Sequence, residues 1–223
     1  VVARETPIEL IKEMTKLGVE IEMFVFGALC VSYSGQCYMS INQGNRSGNR
    51  GGCAQPCRLQ YQLIKDGTPL DTKDDYLLSP RDLCSLELPP ELINTGIDSL
   101  KIEGRMKKPE YVATVTRIYR KYIDNILNNN YFEIDSKDKK DLLQVFNRGG
   151  SSLGHLSSSE NRNLIFKEKP NNMGLFLGTV SNFNNNKGYV SLKLNESISI
   201  GDKICIQTPS EESNYTISEL MIN

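Results

Sequence analysis

Alternation of apolar strands with helices in the first half of the chain constrains its fold most. A helix is predicted over residues 6–18, apolar strands over 21–26 and 99–102, and a long helix with one apolar face from 109 to about 127. Strands that connect to helices through short segments favour a parallel sheet covered by helices. We therefore predict that the first part of the chain is an α/β domain.

The segment between the two predicted strands carries weaker signals. Residues 59–65 and 76–78 predict an inserted β-hairpin. Ser79 followed by a proline is typical of a helix start, so a short helix is predicted there, with Cys84 on its first turns. A further short helix is predicted to end at residue 96.

Composition changes after residue 128. Residues 129–172 are first charged and then rich in Gly and Ser, which predicts a linker with a short helix. Short strands separated by turn residues follow over 173–223, which predicts a small all-β domain that is cut off at its end. Cys205 stands alone in one of these strands, so we interpret it as a small buried hydrophobe.

A cysteine-rich stretch follows the first strand. Four of the six cysteines lie between Glu22 and Arg58, and Cys84 follows soon after. The interval from Met23 to Lys65 has no acidic residue, but it contains four cations: Arg46, Arg50, Arg58 and Lys65. Thiols in a Gly-rich, locally basic loop favour a metal or cluster site and an anionic ligand over a packed core.

The spacing of Cys30, Cys37, Cys53 and Cys57 matches neither a zinc ribbon nor a zinc finger, which need closely spaced ligand pairs. A CxxC redox pair is absent as well. Iron–sulfur clusters accept widely spaced thiolates, because the ligands only have to converge in space. Spacing alone leaves an iron–sulfur cluster, zinc and unligated thiols open.

Charged residues at the end of the second predicted strand are another signal. Strand alternation places Lys101 and Glu103 on one face, and Arg105 follows. In a barrel of parallel strands, charged residues at the carboxyl end of a strand lie where such enzymes carry out their chemistry. The alternative is a buried Lys–Glu pair that only fixes a loop.

Composition excludes several classes of function. The net charge of −1 confines any nucleic-acid binding to local patches. His155 is the only histidine, and it lies in a Ser- and Gly-rich turn, so a metalloprotease helix with two His ligands and a zinc deaminase motif are excluded. No apolar run is long enough for a membrane span, and no signal peptide is present, so we expect a cytoplasmic protein without membrane contact. The first residue is not Met, and we expect an N-terminal part to be missing.

Several motifs occur in the same order as in a known family. They are Glu22-x-Phe24-x-x-Gly27-Ala-Leu-Cys30, Ser34-Gly-x-Cys37, Ser79-Pro-Arg-Asp82-Leu-Cys84, Lys101-Ile-Glu103-Gly-Arg105 and Pro109-Glu-Tyr111. This set resembles the signature of peptidase family U32, the collagenase-like group, over about residues 1–127. Phe26 stands where many members have His, which is a departure from the pattern.

The resemblance implies a fold and an activity. The family fold is a (β/α)8 barrel, of which this chain would supply the C-terminal half, and the missing N-terminal half would be its partner. Well-understood members resemble O2-independent hydroxylases that hold a [4Fe-4S] cluster on four cysteines. Those that act on RNA make 5-hydroxyuridine in tRNA or 5-hydroxycytidine in 23S rRNA, with prephenate as the source of the hydroxyl group.

Carried over to this sequence, the resemblance implies roles for individual residues. The cluster ligands would be Cys30, Cys37, Cys53 and Cys84, with Cys57 as an alternative ligand. The catalytic candidates are Lys101, Glu103, Arg105 and Glu22. In this interpretation Lys101 and Arg105 hold the small anionic co-substrate, and Glu103 orients Lys101 or moves protons.

RNA would contact the basic loop. The candidates for its backbone are Arg46, Arg50 and Arg58, and Tyr33 or Tyr38 could stack on a splayed base. Two alternatives stay open. One is a collagenase-like peptidase, and the other is a non-catalytic scaffold subunit paired with a paralogous hydroxylase subunit.

Overall fold

The first of two units in the chain, Val1–Leu175, is built around a four-stranded sheet, and the second unit is Phe176–Asn223. The computed structural model describes residues 1–156, 163–208 and 211–221. The strands of the first unit are β1 (Glu22–Ala28), β2 (Ile64–Lys65), β3 (Thr68–Pro69), β4 (Asp82–Cys84), β5 (Ser99–Ile102) and β6 (Ser151–Ser152). Its helices are α1 (Ile8–Thr15), α2 (Met39–Gly44), α3 (Pro89–Asn94), α4 (Pro109–Asn129) and α5 (Ser136–Val145).

The central sheet is mixed, in the order β5–β1–β4–β6. β1 runs parallel to β5 and antiparallel to β4, and β4 runs parallel to β6. The carboxyl ends of β1 and β5 and the amino ends of β4 and β6 therefore meet at the same edge. Loops from four strands converge there.

Helix α4 covers one face of the sheet and confirms the long predicted helix. Its buried face consists of Tyr111, Val115, Ile118, Tyr119 and Tyr122. The face begins at Tyr111 because that ring packs against Phe26, with ring centroids 5.8 Å apart, whereas Val112 is exposed. The hydroxyl of Tyr119 donates to the carbonyl of Val25, which fixes the helix on β1.

The prediction of a short helix after Ser79 was wrong, because this segment forms β4. Ser79 is fully buried, and its hydroxyl accepts a hydrogen bond from Arg58 instead of capping a helix. Leu83 packs into the core, and Asp82 and Cys84 alternate to its other side. Cys84 therefore lies on a strand.

The described residues form a mixed α/β structure without a closed barrel. The predicted strands 21–26 and 99–102 are confirmed as β1 and β5, and α3 is confirmed. The inserted hairpin is also present, but β2 pairs with β3 across a tight turn and not with residues 76–78. None of the helices in the described ranges is long and apolar enough to cross a membrane.

The second unit consists of antiparallel pairs. Strands β7 (Gly178–Asn184) and β8 (Tyr189–Leu194) form one two-stranded sheet, and β9 (Lys203–Gln207) and β10 (Glu212–Thr216) form another. Cys205 is exposed, so its interpretation as a buried hydrophobe was wrong. Strand alternation gives the more covered face of β9 to Ile204 and Ile206.

Candidate functional site

The edge where β1 and β5 end carries the predicted site residues. The segment after β5 lies directly on β1, because the amide of Glu103 donates to the carbonyl of Phe26 at 2.8 Å. Gly27 makes this approach possible. A Cβ at Gly27 would collide with the backbone of Glu103, and its φ of +115° is one that other residues rarely adopt.

In the cysteine loop, which comprises residues 30–58, the charges of three thiols reach the fourth, Cys57. Burial raises the pKa of the Cys57 thiol, and the charges of Cys30, Cys53 and Cys37 raise it further, while Arg58 lowers it. The amide of Gln55 donates to the sulfur of Cys53 at 3.2 Å. In the described part of the chain, no three His, Cys, Asp or Glu side chains are close enough to bind one metal ion. The thiols are neighbours, but they do not converge on one point.

Cys84 is in a different environment. It lies on β4 opposite Phe26, and its electrostatic neighbours are Tyr119, Ser151 and Glu87. Burial is the main cause of its raised pKa, and a hydrogen bond with the backbone of Leu86 lowers it. Of the five candidate ligands, the structure groups Cys57 with Cys30, Cys37 and Cys53, and it places Cys84 against α4.

Arg58, which the sequence groups with the RNA-binding arginines, is buried and has a structural anchor. Its guanidinium donates to the hydroxyl of Ser79 at 3.0 Å, to the carbonyl of Pro80 at 2.8 Å and to the carbonyl of Leu29 at 3.3 Å. Burial lowers its pKa to about 10. A guanidinium held in this way ties the cysteine loop to the start of β4 and is not open to an RNA backbone.

A buried ion pair lies beside Arg58. Asp82 accepts a hydrogen bond from Arg148 through Oδ1, and both side chains are more than nine-tenths buried. The other oxygen of Asp82, Oδ2, is buried and has no hydrogen-bond partner among the described residues. Arg148 also donates to the carbonyl of Pro170. One acceptor of this pair is therefore left for a further donor.

Lys107 completes this group of charges. Its ammonium lies over the ring of Phe146, and burial lowers its pKa to about 8. The charge of Asp82 raises that pKa, whereas Arg148 and Arg58 lower it. No hydrogen-bond acceptor for its Nζ occurs in the described ranges. We call Asp82, Arg58, Arg148 and Lys107 the buried charge cluster.

The predicted catalytic residues have partners within the protein, unlike the Lys107 ammonium. Lys101 forms an ion pair with Glu22 at 2.7 Å, and this hydrogen bond lowers the pKa of Glu22. Arg105 donates to the carbonyl of Gly51 at 2.9 Å, and its amide donates to the carboxylate of Glu103 at 3.2 Å. Lys101 is thus neutralised by Glu22, and Arg105 joins the segment after β5 to the cysteine loop.

The remaining candidates lie on the surface of that loop. Arg46 and Arg50 are exposed, and Tyr33 and Tyr38 expose 69% and 65% of their surface. His155 lies in a turn, as predicted.

Comparison with known families decides the classification. The profile of Peptidase family U32 matches residues 1–165 and so includes the cysteine loop, β4, β5 and α4. The chain belongs to peptidase family U32.

The U32 relatives carry names of two kinds. An uncharacterized protease of Methanocaldococcus jannaschii is 38% identical over 92% of this chain and 54% of its own length. The tRNA hydroxylation protein P1 of Bacillus subtilis is 37% identical over 97% of this chain and 53% of its own length. The 23S rRNA 5-hydroxycytidine C2501 synthase of Escherichia coli is 33% identical over 91% and 32%. The chain thus spans about half or less of these relatives, and no solved structure matches it significantly.

Sequence reasoning missed three residues of the buried charge cluster. Asp82 and Lys107 lie in or beside the family motifs, and Arg148 follows a phenylalanine and an asparagine in the segment assigned to the linker. The available signal was a set of charged residues next to Gly and Pro, away from any helix face. Their proximity depends on the pairing of β4 with β6, which local sequence does not show.

Proposed function

We propose that this U32 chain takes part in O2-independent hydroxylation of RNA, with a [4Fe-4S] cluster on the cysteine loop and prephenate as co-substrate. Two similar proteins are named for tRNA hydroxylation and for 5-hydroxycytidine synthesis in 23S rRNA. Because the chain spans only part of their length, the base and the class of RNA are part of the proposal. So is the finer description of the fold as half of a (β/α)8 barrel.

The donor set fits an iron–sulfur cluster better than a single ion. Each cysteine of a four-cysteine [4Fe-4S] site binds its own iron, so the sulfurs need not meet at one point. This agrees with thiols that are neighbours without forming a single-ion site. Cys30, Cys37, Cys53 and Cys57 would hold the cluster, which would supply one-electron or radical chemistry when bound.

The protein's own groups would organise the surroundings of the cluster. The Gln55 amide that donates to Cys53 stabilises negative charge on that sulfur. Arg58 lies near Cys57 and Cys30 and contributes positive charge from a buried position. Arg46 and Arg50 are exposed on the same loop, where they would contact RNA phosphates, and Tyr33 and Tyr38 offer rings for stacking.

The grouping of Cys57 with three other thiols carries the proposal, and iron analysis tests it. Protein purified without oxygen should contain iron and sulfide. We expect Cys57→Ser to lose most of this iron and Cys84→Ser to keep it, because Cys84 faces α4. Colourless wild-type protein free of iron and sulfide would refute the cluster. Loss of iron in Cys84→Ser alone would restore the ligand set that the family resemblance implied.

Nucleoside analysis tests the reaction. Mass spectrometry of digested tRNA and rRNA should show a hydroxylated pyrimidine that disappears when Cys30 is replaced by Ser. Unchanged nucleosides would count against hydroxylation. Cleavage of collagen-like peptides by the pure protein would favour the peptidase alternative, and activity that appears only after a second subunit is added would favour the scaffold alternative.

A further inference from the structure

The middle of the cysteine loop contains a fully buried hydroxyl group. Ser40 lies in α2, shortly after Cys37, and exposes 1% of its surface. A buried hydroxyl costs free energy unless it forms hydrogen bonds. The Ser40 hydroxyl accepts a hydrogen bond at 2.9 Å from the amide of Ala54, the residue directly after Cys53. Ser40 therefore connects the chain that follows one cysteine to the chain that follows another.

A second hydrogen bond joins the same two segments in the opposite direction. The amide of Cys37 donates to Oδ1 of Asn49 at 3.2 Å. Asn49 lies in a single turn of 3-10 helix, Gly48–Arg50, just before Cys53. This turn packs on Cys53, since a Cβ at Gly48 would lie 3.7 Å from its sulfur. Each of the two cysteine segments thus supplies one side-chain acceptor and one backbone donor to the other.

The backbone that carries Asn49 is held in place by further hydrogen bonds. The amide of Gly52 donates to the carbonyl of Ser47 at 2.8 Å, which closes the turn. Arg105 donates to the carbonyl of Gly51 at 2.9 Å and so joins this turn to the segment after β5. Asn49 is therefore presented to Cys37 from a fixed backbone.

The other two thiols of the loop are joined by a different side chain. Arg58 directly follows Cys57, and its guanidinium donates at 3.3 Å to the carbonyl of Leu29, which directly precedes Cys30. Hydrogen bonds between chain neighbours thus hold the four thiols in two pairs. Arg58 joins the first pair, and the second pair depends on two uncharged side chains.

We propose that Ser40 and Asn49 are positioning residues, which hold Cys37 and Cys53 at the separation that cluster binding requires. This inference rests on the proposed function, because the role that it assigns is a role toward the cluster. The two side chains act through the backbone next to the thiols and do not themselves bind iron. Ligands that come from distant points of the chain depend on such neighbours, whose loss typically weakens metal binding about 10- to 100-fold.

The rate of iron release tests the proposal. Protein purified without oxygen is mixed with an iron chelator, and the release of iron is followed by absorbance. Ser40→Ala and Asn49→Ala each remove one acceptor, so we expect each variant to release iron about tenfold faster than wild type. The double variant should release it faster than either single variant. A double variant that releases iron at the wild-type rate would overturn the proposal.

Two matched controls come from the same loop. Ser32→Ala removes a hydroxyl that donates only to the carbonyl of its neighbour Tyr33, and Asn42→Ala removes an exposed amide on α2. Both controls should release iron at the wild-type rate. Asn49 is exposed, so Asn49→Ala decides the case if thermal unfolding shows that Ser40→Ala does not fold. Release that is equally fast in the controls would also overturn the proposal.

Electron paramagnetic resonance separates positioning from a purely structural role. If Ser40 only stabilised the loop, Ser40→Ala would unfold at a lower temperature, and its reduced cluster would keep the wild-type g values. We expect shifted or broadened g values in Ser40→Ala, because the geometry at the thiols changes. Ser40→Thr keeps the hydroxyl and should restore the wild-type spectrum. The proposal requires both the faster release and the changed spectrum, so the absence of either would refute it.

Hydrogen exchange followed by mass spectrometry distinguishes a failure of this inference from a failure of the proposed function. The Ala54 amide should exchange faster in Ser40→Ala, and the Cys37 amide should exchange faster in Asn49→Ala, with or without iron. Protein that contains no iron but shows these changes would refute the cluster, and with it the role toward the cluster, while the cross-link stands. Protein that contains iron, with release that ignores both residues, would refute this inference alone.

Discussion

Two groups of charged side chains, one on β1 and β5 and the other around Asp82 of β4, differ in charge balance and in burial. Glu22 and Lys101 form a one-to-one pair whose side chains expose 31% and 38% of their surface. The buried charge cluster combines one carboxylate with three cations, and its central ion pair is almost inaccessible to water. The two side chains of the first group pair with each other, whereas in the second group Asp82 Oδ2 and the Lys107 ammonium have no hydrogen-bond partner among the described residues.

The two groups therefore differ in what they contribute to the free energy of folding. An ion pair in contact with water contributes little to folding and little to ligand binding. A buried and unbalanced group costs free energy in the folded state, and proteins keep such groups at functional sites.

The largest expected effect comes from Asp82→Ala. This change leaves the buried guanidinium of Arg148 without its carboxylate, so we expect the free energy of unfolding to fall by about 3–5 kcal/mol. Urea denaturation followed by circular dichroism measures it. The double variant Asp82→Ala with Arg148→Met should recover part of the loss, since the unpaired charge is gone. A loss of less than about 1 kcal/mol in Asp82→Ala would show that the ion pair is hydrated, as surface pairs are.

Lys107→Met should change the dependence of stability on pH. The folded pKa of Lys107 is about 8, below its ordinary value of 10.5, so the folded state pays for the charged ammonium at every pH below about 8. That cost falls as pH rises from 8 towards 10.5. We expect the variant to be more stable than wild type at pH 7 by about 1 kcal/mol, a reduced figure because water screens a partly exposed group.

Denaturation at pH 7 and at pH 10 tests this expectation. The advantage of Lys107→Met should shrink at the higher pH, whereas Lys108→Met should show no such trend. An advantage that is the same at both pH values would mean that the methionine packs better on Phe146 and that the charge is not penalised.

Replacement of the exposed arginines should have a smaller effect, a loss of RNA affinity that is similar for different RNA sequences. Each of Arg46→Ala and Arg50→Ala removes one cation from the surface of the cysteine loop. We expect RNA affinity to fall a few-fold and the salt dependence of log K to decrease by about 1 per lost phosphate contact. Titration of tRNA at several salt concentrations measures both. An unchanged salt slope in the double variant would place the RNA on another surface.

The sequence predicts much of the fold. Of the two charged groups, it predicts only the residues of the first, Glu22 and Lys101. β1, β5, α3 and α4 follow from local apolar patterns, and the residues of the cysteine loop follow from their composition. β4 was missed because a serine followed by a proline is typical of a helix start. In the structure the Ser79 hydroxyl accepts a hydrogen bond from Arg58, which is distant in sequence. The buried charge cluster was missed for the same reason. Asp82 and Arg148 are 66 positions apart, and only the tertiary fold joins them.

The smallest expected effect belongs to the pair of Glu22 and Lys101. Glu22→Gln removes a carboxylate that is in contact with water, so the midpoint of urea denaturation at pH 7 should match that of wild type. The hydrogen bond from Lys101 lowers the pKa of Glu22, so any stabilisation by the pair exists above pH 4.5 and is lost as pH falls through the lowered value. Prephenate binding should persist in Glu22→Gln. Binding that improves in this variant would mean that Lys101 binds an anion once Glu22 no longer neutralises it.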